Sequence, residues 1–321
     1  WIIQNKNLTF YYKMTENLKD LISKARPNAK ESTIKMYVSN LNKLMKIFET
    51  DNLKFLSNVD KVKKKLEDKH FTTQRNYYNS IIVYLMAKDL NKQFIDKYNE
   101  VRDELNKKYQ ENQESGVISE KQKNNFIELS ELQDMVKEIQ KDLDIPKLKK
   151  KETLTQKEYK LLQAYVILEI LIRIPMRNDL SNLEKITRRE YNKLTDTQKK
   201  DNNYLVIDKT KMEFIMNDYK TSKKYKEKVI SVPKDLEKII RMYMRKNGDS
   251  KNLFPMSRNA LSQLLIKTSK KYLNKSISTT MIRKIVASDL LKEVKQKEKE
   301  LSNKMGTDID TIKSVYVKKE A

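Results

Sequence analysis

Residues 159–174, "YKLLQAYVILEILIRI", are apolar on nearly every side of a helical wheel. A helix of this kind has no face to give to water, so other elements must wrap around it. The sequence predicts that it is central and buried, opened by a capping box in "TQKE" (155–158) and ended by Pro175. With 321 residues the chain is long enough for two domains, or one large one.

The remaining pattern sorts around that helix. In "KESTIKMYVSNLNKLMKIFE" the residues Ile34, Tyr37, Val38, Leu41, Leu44, Met45 and Phe48 recur every three or four positions, with Ser32 or Thr33 as the expected N-cap. "TTQRNYYNSIIVYLMA" predicts another helix capped by Thr72 or Thr73, and Phe94, Ile95, Tyr98, Val101, Leu105 and Tyr109 stripe a further one. Residues 1–15 read as an arm, and residues 16–109 as a bundle of about four helices. Residues 110–125 are polar around Gly116, and residues 110–129 read as a linker, though "KYQENQE" could extend the preceding helix. Residues 130–321 form the second expected domain, which "SELQ" (130–133) opens as a capping box. Its β-structure is expected at 204–208, 213–220 and 228–232, the last two joined through the lysine-rich "TSKKYKE". Helices should follow from Pro233, from Ser257, from Ser278 or Thr279, and after Gly306. The predicted class is mainly α: an N-terminal helical bundle plus an α-rich domain carrying a small antiparallel sheet.

Charge narrows the partners. There are 68 Lys plus Arg against 44 Asp plus Glu, a formal net charge of +24, which suits a polyanion, nucleic acid first. A compositional bias toward Lys, Asn and Ile is the plain alternative. A membrane surface fits less well, because no signal peptide, lipidation signal or spanning apolar run is evident. Cysteine is absent and His70 is the sole histidine, which excludes disulfides and thiol nucleophiles and disfavours a zinc site. The absence of disulfides and of a signal peptide predicts an intracellular protein, in cytoplasm or nucleus. Any chemistry must run on arginine, lysine, tyrosine, hydroxyls and carboxylates, and neither a P-loop nor a carboxylate cluster spaced for magnesium is present.

Four segments could carry it. In "RIPMRNDLSNL" (173–183), Arg177 follows the end of the buried helix; alone, it reads equally as a partner for Asp179 or a helix-end cap. In "STTMIRKIVASDLL" (278–291), Arg283 sits beside the inward stripe of Ile282, Ile285, Val286 and Leu290. The hairpin "DYKTSKKYKEKVISV" offers Lys220, Lys223, Lys224, Lys226 and Lys228, which could also be a solvated basic loop. "MGTDIDTIKSVYVKK" (305–319) contains Tyr316, one of 17 tyrosines.

Taken in order, these pieces resemble the tyrosine recombinase (phage integrase) family, in its diverged viral or mobile-element form. The resemblance covers both halves, the N-terminal helices resembling its core-binding domain, a DNA clamp, and residues 130–321 its catalytic domain. Arg177 matches the first-box arginine, Lys220 the hairpin lysine, with Lys223 and Lys224 as fallbacks, and "TMIR" the second box through Thr280 and Arg283. Thr307 in "MGT" falls where a histidine normally precedes the nucleophile, and the nucleophile itself falls on Tyr316. Both family histidines are thus threonine, which can donate a hydrogen bond but cannot serve as a base near neutral pH.

The resemblance implies a site-specific recombinase or integrase, metal-independent and without cofactor. Tyr316 would attack a phosphodiester to leave a 3′-phosphotyrosine, Arg177 and Arg283 would hold the nonbridging oxygens, and Lys220 would protonate the departing 5′-oxygen. It also implies double-stranded DNA as partner and a homo-tetramer on paired sites, monomer or dimer in isolation. Backbone contacts would come from Lys63, Lys64 and Lys65, from Lys149 and Lys150, and from Lys223 and Lys224. Gln74 and Arg75 could reach base edges, or simply face water. The alternatives are a non-cleaving DNA-binding protein of the same fold, a type IB topoisomerase-like activity, and a basic helical RNA-binding protein.

Overall fold

The computed structural model describes residues 18–90, 92–116 and 120–317, without the side chains of residues 121, 182 and 223. The proposed arm, residues 1–15, lies outside the described residues. The chain divides into two compact units, Trp1–Ile118 and Ser119–Ala321.

The first unit holds helix α1, described from residue 18 to 25, then α2 (Glu31–Ile47), α3 (Val59–Leu66), α4 (Phe71–Ala87) and α5 (Lys92–Glu114). Helix α4 packs against both α2 and α5, and Leu41, Leu44, Tyr78, Ile81 and Tyr98 are fully buried among them. The Tyr98 ring meets Phe94 edge-on, and its hydroxyl donates to the Leu56 carbonyl at 2.8 Å, so a large aromatic is buried without an orphaned polar group. Two helix starts differ from expectation. Helix α2 begins one residue after Lys30, which makes no side-chain cap bond, so Ser32 and Thr33 fall inside the first turn. Helix α4 is capped by His70, whose ring accepts from the Thr72 amide, so the sole histidine is an end-cap rather than Thr72 or Thr73. Part of the expected linker is helical, since α5 continues to Glu114 and a short α6 spans Glu120–Lys123.

In the second unit, α7 (Leu129–Leu143), α8 (Ile145–Lys150) and α9 (Gln156–Arg173) precede the sheet. The cap of α7 lies earlier than "SELQ": Glu128 and Glu131 form its capping box. Helix α9 starts where expected, with Thr155 and Glu158 in reciprocal contact. Ten consecutive residues from Leu162 to Leu171 are buried, and α9 packs against α7, α13 (Lys234–Met244), α14 (Arg258–Leu273) and α15 (Thr279–Leu290). The all-round apolar helix is therefore the axis of this unit.

The sheet has four strands in sequential order: β1 (Leu183–Thr187), β2 (Asn203–Ile207), β3 (Met212–Met216) and β4 (Lys228–Ser231). It is mixed, not purely antiparallel as expected. Strand β1 pairs parallel with β2 through a crossover carrying α10 (Arg188–Lys193) and α11 (Asp196–Asp201), and the other two pairings are antiparallel. The unexpected strand, "LEKIT", has two charged residues in five and follows a tight turn, so no apolar alternation marks it. Strands β2 and β3 are buried on both faces: Leu205, Met212 and Phe214 join the main core, and Tyr204, Val206 and Ile215 pack under Tyr191 of α10. A turn of helix, α12 (Ser222–Tyr225), interrupts the link to β4.

The last described elements are α16 (Lys292–Met305), α17 (Ile309–Thr311) and a π-helical turn, Ile312–Tyr316. The helix expected from Ser278 breaks at Leu291, where α15 gives way to α16. The main core includes no residue after Val286. Among the described residues, no helix is long and apolar enough to cross a membrane.

Candidate functional site

At its C-terminal end α9 runs into Pro175, and the chain then makes two tight turns, Met176 N to Ile174 O at 2.6 Å and Asp179 N to Arg177 O at 2.7 Å. These turns lift Arg177 out of the core while Leu180 re-enters it. Helix α15 arrives from the other side. Its Ile282, Ile285 and Val286 are buried, and Arg283, on the edge of that stripe, donates from Nε to the Pro175 carbonyl at 2.9 Å. That charge-assisted bond fixes the second arginine against the turn that carries the first.

The two arginines line one cleft of about 470 Å³, together with Pro175, Met176, Asp179, Met216, Tyr219, Thr221, Tyr225, Glu227, Lys228 and Ile230. The hairpin of β3 and β4 thus supplies more than half of the wall. Register explains which residues it contributes: Lys228 lies opposite Met216, and Ile230 lies two positions further along the same face. The buried Asn203 fixes the exit from β3, its Oδ1 accepting from the Asn217 and Asp218 amides at 2.8 and 2.9 Å.

The cleft is lined by three cations, Arg177, Lys228 and Arg283, and two carboxylates, Asp179 and Glu227. Burial, followed by the like charge of Arg177, pulls the Arg283 pKa below the usual guanidinium range, though an arginine stays charged at any physiological pH. Burial pushes the Asp179 carboxyl up, against the opposing pull of Arg258, Arg177 and Arg283. Asp179 is held by Arg258, Nη2 to Oδ1 at 3.3 Å, and Glu227 accepts from the Tyr191 hydroxyl at 3.0 Å. Two half-buried guanidiniums facing one space favour an anion with several oxygens to share between them, and a phosphodiester is such an anion.

The other sequence-derived catalytic residues are not among those lining the cleft. Lys220 is exposed, and it is not among the lining residues, although its neighbours Tyr219 and Thr221 are; the lysine in the wall is Lys228. Thr280 is exposed on the first turn of α15 and does not line the cleft. Thr307 donates to the Met305 carbonyl at 3.1 Å, closing the end of α16 beside Gly306, whose φ of +58° suits that cap. Tyr316 is 58% exposed and is not a lining residue. Its turn is tied to α16 by the pair Lys313–Glu298 at 2.6 Å, and Ile312 at the start of that turn is buried.

Of the expected contact residues, Lys63, Lys64 and Lys65 are exposed on α3, and Lys149 and Lys150 on α8. Lys224 lies over the Tyr225 ring at 5.3 Å, and the side chain of Lys223 lies outside the described residues. Gln74 and Arg75 are already engaged. Gln74 Nε2 donates to the Lys69 carbonyl at 2.7 Å, and Arg75 donates to Asn106 at 2.5 Å while its guanidinium covers the Tyr109 ring at 4.3 Å. Tyr219, Tyr225, Glu227 and Lys228 of the wall do not stand out as a group in the sequence. The signal that finds them is strand register, which appears only once β3 and β4 are paired.

Compared by sequence, the chain matches no family model and no curated protein. Among solved structures it is similar to the crystal structure of XerA recombinase, at 13% identity and a TM-score of 0.33, over 87% of this chain and 85% of that one. What the cleft can do follows from its own residues.

Proposed function

We propose that this protein binds double-stranded DNA and cleaves and rejoins one strand through a phosphotyrosine, as the resemblance to tyrosine recombinases implies. The observation that carries the reading is the convergence of Arg177 and Arg283, remote in sequence, on one cleft with a hairpin lysine in its wall. In the proposed reaction the two guanidiniums bind the nonbridging oxygens and neutralise the charge that grows as phosphorus becomes five-coordinate. The Tyr316 oxygen forms the new bond to phosphorus and its proton passes to water. The bond from phosphorus to the 5′-oxygen breaks, and a lysine ammonium donates a proton to that oxygen. Lys228 suits this role better than Lys220, because it lines the cleft. Rejoining runs the same steps in reverse, so the phosphotyrosine conserves the bond energy.

Delivery of Tyr316 is part of the proposal. The phenol must move into the cleft, or enter the cleft of a second copy assembled on paired DNA sites. Leu291, Val294, Leu301, Met305, Val315 and Val317 are exposed on the same terminal segment, and such an assembly would cover them. Integration or excision of a mobile element is the corresponding biological role.

A second reading is a DNA-binding protein of this fold that does not cleave. The exposure of Tyr316, which does not line the cleft, favours it. Incubating the wild type and Tyr316→Phe with a nicked duplex that traps covalent protein–DNA adducts separates the two. An adduct formed by the wild type and absent from the variant supports cleavage, and no adduct from either supports the second reading.

A further inference from the structure

Tyr225 and Tyr316 are the two exposed tyrosines among the described residues, and Tyr225 is the one in the arginine cleft. Its ring is 61% exposed, at the end of the helical turn α12 in the hairpin. Leaving a ring this size in water forfeits burial that most tyrosines in the chain obtain. The backbone that presents it is unusual. Lys226, the next residue, has φ +53° and ψ −147°, a conformation costly for any side chain except glycine. It is held there by the Tyr219 hydroxyl, which donates to the Lys226 carbonyl at 2.7 Å. The turn lets Tyr225, Glu227 and Lys228 all border the same space, which an ordinary extended strand, alternating its side chains, would not allow. Tyr219 serves as the brace and Tyr225 remains free: its hydroxyl has no hydrogen-bond partner among the described residues. Lys224 over its ring keeps a cation beside it.

A phosphodiester gripped by Arg177 and Arg283 brings a nucleoside on either side of it. The hairpin forms more than half of the wall, so one of these nucleosides meets it, and there the wall offers an exposed aromatic ring beside a lysine. We infer that Tyr225 is a stacking platform for the base attached to the bound phosphate, a positioning residue that aligns the strand in the cleft. Stacking of this sort tolerates any base, because every base has a π-face, and in a duplex it takes up a base that has left the helical stack beside the bound phosphate. The inference rests on the phosphate-binding reading of the two arginines and adds to it the group that orients the strand.

The test uses the full chain and two probes of equal charge: a thymidine oligonucleotide, and an oligomer of the same length made of abasic deoxyribose phosphates. Tyr225→Ala should weaken thymidine binding about tenfold and leave abasic binding unchanged. Tyr225→Phe, which keeps the ring and lacks the hydroxyl, should match the wild type. With 5-iododeoxyuridine in the first probe, irradiation should attach the base to Tyr225. Arg177→Ala combined with Arg283→Ala should weaken both probes. Undiminished abasic binding by that arginine variant overturns the phosphate site and this inference with it. The expected weakening there, combined with thymidine binding that Tyr225→Ala leaves unchanged, overturns the stacking alone. A covalent phosphate adduct on Tyr225, absent from Tyr225→Phe, also overturns it, because the ring would then be the attacking group.

Discussion

Arg283 donates from Nε to the carbonyl of Pro175 at 2.9 Å, across 108 residues of sequence, and so stands against the turn that presents Arg177. The bond leaves the rest of the Arg283 guanidinium toward the cleft. Arg177 is placed by the tight turns that follow the buried helix α9, and Arg283 by the buried stripe of its own helix α15.

Replacing either arginine tests that arrangement. Arg177→Ala or Arg283→Ala should lower strand cleavage by about 10²–10³-fold, the scale for losing one preorganised donor to a developing oxyanion. Arg283→Lys should recover little, since an ammonium cannot both reach Pro175 and share two phosphate oxygens. Single-turnover cleavage of a trapped substrate reads the effect directly.

The choice of lysine is separable. Lys228→Ala should slow cleavage by about 10²–10⁴-fold, while Lys220→Ala should have an effect within a few-fold. A substrate with sulfur in place of the 5′-oxygen should rescue Lys228→Ala, because a thiolate leaves without needing a proton. Rescue of Lys220→Ala in its place would transfer the role to that residue.

Binding through the first unit should be electrostatic. Changing Lys63, Lys64 and Lys65 together to Gln should weaken DNA binding without altering the protein's thermal stability, since all three are exposed. The slope of log affinity against log salt should become shallower by about 0.9 for each phosphate that the variant leaves unneutralised. An unchanged slope would show that α3 does not face the DNA.

The start of the axial helix sets a stability prediction. Thr155→Ala removes the cap of α9 and should cost about 0.5–2 kcal/mol in urea unfolding. Glu158, hydrogen-bonded foremost by Lys151 and then by Thr155, has its carboxyl lowered to about 2. A lowered folded-state pKa gives stability that is present above the ordinary carboxylate value and lost as pH falls toward 2. Glu158→Gln should therefore flatten acid unfolding over that interval while leaving stability at pH 7 less sensitive to salt.

Much of the architecture is legible before folding. The period of the apolar residues marks α2, α4, α5 and α9, because burial of one face, or of all faces, imposes its repeat directly on the sequence. Strand β1 is hidden because a short, charged strand at the sheet edge carries no such repeat. The caps of α2, α4 and α7 differ from expectation because a Ser or Thr just inside the first turn competes as a candidate cap near each start. At α4 a histidine takes the position, and at α7 a glutamate does.

The two arginines are legible because a cation next to a long apolar run stays at the rim of a core wherever that core forms. Their meeting is not, and neither is the membership of Lys228 and Tyr225 in the wall. Residue order alone sets which faces are apolar, and with them the helices, the basic surface and the candidate arginines. Which polar groups share a space was left to the tertiary structure, because that depends on strand register, on two backbone turns after Pro175, and on the strained turn at Lys226. Register is set by pairing between strands, while the turns around Pro175 and Lys226 are closed by short-range bonds that carry no apolar repeat, so neither shows in the pattern of hydrophobic residues.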